Sequence, residues 1–103
     1  MTVNSTFAER RAVADVGLEP LGFEQLTGLS ASKGLQSVPD GAVVALFQVD
    51  TQNVRWRDDG NAPTSSVGMQ LKSEAQMTYN GDLDAIRFIE EAASGVVNVS
   101  YYK

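Results

Sequence analysis

The chain has 103 residues, 43% of them hydrophobic and 20% charged, and eight Lys and Arg against thirteen Asp and Glu give a formal charge of −5. That length suits one small domain, and the acidic balance disfavours a grip on nucleic-acid phosphates. With no cysteine and no histidine there is no disulfide or thiol chemistry and no imidazole base or ligand, and the longest apolar run, Ala42 to Phe47, is far too short to span a membrane.

Residues 1–20 read as an irregular N-terminal arm and residues 21–103 as a β-sandwich domain. In the arm, Thr6-Phe7-Ala8-Glu9 fits a capping box, in which Thr6 accepts a backbone N–H and Glu9 reaches back. This permits a short helix over Phe7–Val16, ended by Gly17. Its apolar face (Phe7, Ala8, Ala12, Val16) is too thin to fold alone, so the arm needs a surface to pack against. Met1 to Gly17 also lacks the apolar core of a secretory signal.

Residues 1–41 are rich in turn-formers, with Gly17, Gly22, Gly28, Gly34, Gly41, Pro20 and Pro39. Gly22 to Ser32 supplies one strand there, in which Phe23, Gln25 and Thr27 alternate with Glu24, Leu26 and Gly28. Ala42–Asp50 is continuously apolar enough to predict a strand covered on both faces. After a turn at Asp50-Thr51-Gln52-Asn53, Val54 and Trp56 share one face of the next strand and Arg55 and Arg57 the other. A short strand is expected around Val67–Leu71. Glu74 to Tyr79 alternates, burying Ala75, Met77 and Tyr79, and runs into Asn80-Gly81, a pair suited to a type I′ hairpin turn. Ile86-Arg87-Phe88-Ile89 follows as a strand. Gly95 opens the last strand, with Val97, Val99 and Tyr101 facing one way and Val96, Asn98, Ser100 and Tyr102 the other. About six or seven short strands bounded by turn signals predict an all-β fold, an antiparallel sandwich or jelly-roll-like barrel.

The densest polar cluster is Arg55-Trp56-Arg57-Asp58-Asp59-Gly60-Asn61. Asp58, Asp59 and Asn61 are hard-oxygen donors, as are Asp82 and Asp84, but their spacing matches no EF-hand loop. Turn chemistry, with Gly60 at positive φ and the Asx side chains capping local N–H groups, is the stronger reading, so no metal and no cofactor are expected. Neighbouring carboxylates on turns are ill placed for glycoside hydrolysis. Serines without a histidine or a Gly-x-Ser-x-Gly elbow make no acyl-transfer site, and no catalytic residue is expected. Trp56, Tyr79 and Tyr101 fall with the apolar parity and read as core; Tyr102 does not. Arg55, Arg57 and Arg87 sit opposite the apolar side chains, and arginine is enriched at protein interfaces. Arg55, Arg57, Arg87 and Tyr102 are therefore the candidate interface residues.

The second half resembles a group of small proteins encoded in the structural modules of tailed bacteriophages. The resemblance runs through Val54-Arg55-Trp56-Arg57-Asp58-Asp59-Gly60, Ala62-Pro63-Thr64 and Val67-Gly68-Met69. It continues through Gly81-Asp82-Leu83, Ala85-Ile86-Arg87-Phe88-Ile89 and the stretch from Val97 to Tyr101. It implies a small β-sandwich within a virion that binds the major capsid protein or other virion proteins; the acidic balance and the short apolar run separately predict no nucleic-acid and no membrane partner. A capsid decoration or cement protein is the leading expectation, and a head–tail connector or a tail component with a carbohydrate- or receptor-binding role is the alternative. Analogy with decoration proteins points to a homo-oligomer, a trimer.

Overall fold

The computed structural model describes residues 18–103, so the predicted helix over Phe7–Val16 lies outside the described residues. These form eight strands: β1 (Pro20–Leu26), β2 (Lys33–Gly34), β3 (Val44–Asp50), β4 (Val54–Arg57), β5 (Met69–Leu71), β6 (Gln76–Tyr79), β7 (Arg87–Glu90) and β8 (Val96–Tyr102). Two four-stranded sheets result, in the orders β1-β8-β3-β6 and β2-β7-β4-β5, and every pairing is antiparallel. Of the connections between successive strands only β4 to β5 stays within a sheet; all the others cross from one sheet to the other. The sheets pack on one core, an arrangement consistent with the expected β-sandwich.

The core follows from strand parity. On β8, Val97, Val99 and Tyr101 are fully buried, and on β3 so are Ala45, Phe47 and Val49. The second sheet answers with Val54 and Phe88, both fully buried. Phe47 meets Phe88 edge-on at 4.9 Å between ring centroids, a favoured aromatic geometry. Ala45 lies between Tyr101 on one side and Tyr79 on the other. A small residue there leaves room for two large rings in one cross-strand row.

Four expectations change. β3 is central in its sheet, bonded to both β8 and β6, yet only one of its faces lies in the core; Leu46, Gln48 and Asp50 alternate outward, half-buried. The apolar run read as doubly covered begins before the strand, and Val43 is 57% exposed. The first strand starts at Pro20 and stops at Leu26. There are eight strands because Lys33–Gly34 pairs with β7, and two residues carry no alternation to read.

The largest change concerns Asn80-Gly81, which makes no hairpin. β6 and β7 belong to different sheets, and neither Asn80 nor Gly81 has positive φ. The chain here crosses the end of the core, into which Leu83 and Ile86 insert. Glycine is needed at 81 for space, since a Cβ would lie 2.5 Å from Cζ of Tyr79.

Phe47→Ala removes the ring that meets Phe88 across the two sheets. The expected loss is about 3–5 kcal/mol, measured as a lower urea midpoint with an unchanged denaturant slope.

Candidate functional site

The pairing of β4 with β7 brings Arg55, Arg57 and Arg87 onto the outer face of the second sheet, with Arg57 and Arg87 directly opposite each other. Each guanidinium is committed within the chain. Arg55 donates through Nε to Glu91 at 2.8 Å and through Nη1 to the Gly68 carbonyl at 3.1 Å. Arg57 grips Asp59 bidentately, at 3.0 and 2.5 Å. Arg87 donates to the Ser32 carbonyl at 3.0 Å and its hydroxyl at 3.3 Å. Glu91 also accepts from Gln70 at 2.7 Å and Asn53 at 3.4 Å. The Gln70 amide, with Arg55 and Asn53 behind it, holds the Glu91 carboxyl below the usual carboxylate range, and Arg57 lowers that of Asp59 to about 2.

The Asp58–Asn61 segment is built as a turn. Gly60 has φ +89, Asp59 accepts weakly from the Asn61 N–H at 3.4 Å, and Asp58 accepts from the Tyr79 hydroxyl at 2.6 Å. Asp82 caps the Asp84 N–H at 2.9 Å. No group of three or more acidic, His or Cys side chains converges on a metal-sized site among the described residues. Beside the turn lies an open groove of about 400 Å³, lined by Trp56, Arg57, Val67 and Met69 among others. Trp56 is half-buried, its ring edge-on to Tyr79 at 5.9 Å, whereas the sequence parity had placed it in the core with Tyr79 and Tyr101.

Tyr102, the fourth candidate, lies on the opposite side of the molecule, on the outer face of the first sheet. The strand register there lines up two rows. One is Phe23, Ser100, Leu46 and Thr78; the other is Gln25, Asn98, Gln48 and Gln76. The second row forms an amide ladder: Gln25 donates to Asn98 at 2.9 Å, and Asn98 donates to Gln48 at 2.8 Å. Ser100 donates to the Tyr102 hydroxyl at 3.2 Å, and Phe23 is 66% exposed. Neither row contains a charged side chain. Parity within β8 already grouped Asn98, Ser100 and Tyr102, but Phe23, Gln25 and Gln48 join them only through cross-strand register.

Two core tyrosines send their hydroxyls to carboxylates. Tyr79 reaches Asp58; Tyr101 donates to Glu24, whose carboxylate also accepts from the N–H groups of Gln36 and Ser37 at 3.1 and 2.9 Å. Burial, reinforced by the neighbouring carboxylates, raises both phenols, Tyr79 to about 12.

Comparison with protein-family models, with curated proteins and with solved structures finds no match to this chain.

A phenol whose folded pKa is raised contributes stability that is complete below its unfolded value near 10 and lost as pH climbs through the folded value. Stability should therefore fall between pH 10 and 12. Tyr79→Phe should flatten part of that slope, as read by urea unfolding at successive pH values.

Proposed function

We propose that this chain is a structural protein of a tailed-bacteriophage virion: a decoration or cement protein that binds the major capsid protein and stabilises the head lattice as a homo-oligomer. The strand order carries the reading. Two sheets in the orders β1-β8-β3-β6 and β2-β7-β4-β5, in which only β4 and β5 are consecutive neighbours, are read as a jelly roll, an architecture used by viral capsid and lectin domains. Fold alone assigns no function, so the chemistry of the surface matters as well. Asp58, Asp59 and Glu91 are held by side-chain donors, and Asp82 caps a backbone N–H. Such carboxylates serve local structure better than acid–base catalysis, and what remains is surface suited to adhesion. The resemblance carried by Val54 to Gly60 and the later segments supports the same reading.

A second reading, a head–tail or tail component that binds a host glycan, draws on the half-buried Trp56 beside the groove with Val67 and Met69. An aromatic face next to polar side chains is the chemistry sugars use.

Gradient-purified virions of the source phage, quantified by mass spectrometry against the major capsid protein, test both readings. A ratio near parity is expected for a lattice-wide decoration protein. A low, definite ratio moves the chain to the neck or tail, where a change in Trp56 fluorescence on adding host glycans becomes the next expectation. Absence from intact particles overturns the virion role.

A further inference from the structure

Unlike the arginine-bearing outer face of the second sheet, the outer face of the first sheet has two central rows without a charged side chain. We propose that it is a self-docking surface, on which a second copy of this chain packs face to face about a twofold axis. Leu46, Gln48, Asn98 and Ser100 lie at the centre of the contact, with Phe23 on the edge strand and Tyr102 at the strand end flanking them. The inference goes beyond the virion reading and rests on the face alone.

Charge identifies the partner first. Each copy carries −5, so two copies repel on average, and they approach most easily where neither presents charge. The second sheet's outer face bears Arg55, Arg57, Arg87 and Glu91, and self-apposition there would disturb the internal pairs and bring like charges together. The two central rows of the first sheet contain none. Charge depletion with aromatic enrichment marks the core of protein interfaces, and here Phe23 and Tyr102 supply the aromatic rings.

Complementarity identifies it second. A twofold contact presents the same patch from both sides, so the patch must complement itself. Amides and hydroxyls do so, because each both donates and accepts. The ladder of Gln25, Asn98 and Gln48 uses only part of the two donors and two lone-pair sites that each amide offers. The same row rotated by a half-turn can therefore meet it donor to acceptor. Phe23, 66% exposed on the edge strand β1, supplies an apolar anchor that gains burial from the contact.

Size sets the strength. Three seven-residue strands and the four-residue β6, about 4.8 Å apart at about 3.3 Å per residue, give a flat area of roughly 400 Å², against the ~800 Å² of accessible surface that each partner buries in a standard interface. The pair is accordingly reversible, and dilution dissociates it.

The test is sedimentation velocity on the full chain from about 10 μM to roughly 1 mM, the range of weak association. A concentration-dependent dimer is expected. Gln48→Glu places two negative charges at the centre and should weaken the dimer at least roughly tenfold. Phe23→Ser, at an exposed position that cannot unfold the core, should also weaken it, and Arg57→Glu on the opposite face should not. Because the chain has no cysteine, Ser100→Cys offers a single thiol near the axis, and mild oxidation with diamide should yield a disulfide-linked pair. A monomer at roughly 1 mM overturns the proposal, as does a trimer, since three copies cannot share one isologous face. A dimer indifferent to both Gln48→Glu and Phe23→Ser overturns it too, as does a monomer that binds a glycan through Tyr102.

Discussion

Phe47 and Phe88 make the closer of the two ring-to-ring contacts described between the sheets, and the architecture is arranged around it. Each sheet has one apolar face that is stable only when covered, and the rings interlock at 4.9 Å where the sheets meet. Phe47 also packs on Tyr79 at 5.8 Å, and Tyr79 meets Trp56 at 5.9 Å. A chain of four aromatic rings thus runs from the centre of the core out to the groove beside β5. Tyr79 is separated from Tyr101 in its cross-strand row only by Ala45. A larger side chain at 45 would push on both tyrosines and, through Tyr79, on Phe47.

Those tyrosines pose a second problem, because a buried phenol needs a hydrogen-bond partner. The solution uses acidic residues that composition alone counts only as charge. Glu24 accepts from Tyr101 and from two backbone N–H groups, fastening residues 36–37 to the edge strand β1. Asp58 accepts from Tyr79 and so fixes the loop after β4. Glu90 accepts from the Gly95 N–H at 3.1 Å, and Glu91 gathers Arg55, Gln70 and Asn53. Much of the negative charge is therefore structural and concentrated in loops, at strand ends and on the second sheet. The uncharged centre of the first sheet is the other side of that distribution.

The sequence made some of this legible and hid the rest for identifiable reasons. In β8 the alternation is strict over seven residues, and its buried set, Val97, Val99 and Tyr101, is the one parity predicts. In β4 the separation of Val54 and Trp56 from Arg55 and Arg57 is equally local. Asn80-Gly81 misleads because the pair is permissive of a hairpin without requiring one. The demand for Leu83 and Ile86 at the end of the core decides the path instead, and Gly81 answers the crowding by the Tyr79 ring. The two-residue strand β2 has no pattern at all. The three arginines were readable as sharing a face, but while Arg57 pairs locally with Asp59, the partners of Arg55 and Arg87, Glu91 and Ser32, lie far along the chain. The amide ladder is the least legible feature, since Gln25 and Asn98 are 73 positions apart and Gln48 and Asn98 are 50 apart. Only register brings them into one row.

The two outer faces are both held by polar bonds, yet with opposite consequences for a partner. On the second sheet the donors of Arg55, Arg57 and Arg87 are directed to two carboxylates, two carbonyls and a hydroxyl within the chain. A partner would have to displace those bonds to use the guanidiniums, and exposed pairs of this kind return little in exchange. On the first sheet the ladder orients Gln25, Asn98 and Gln48 without exhausting them. Their side-chain freedom is already reduced before anything binds, which lowers the ordering cost that association normally carries. Removing neutral amides from water also costs far less than removing charges. A face whose centre is ordered in advance, uncharged and still able to donate and accept is therefore the one on which contact costs least. Register, which no local signal encodes, is what creates it.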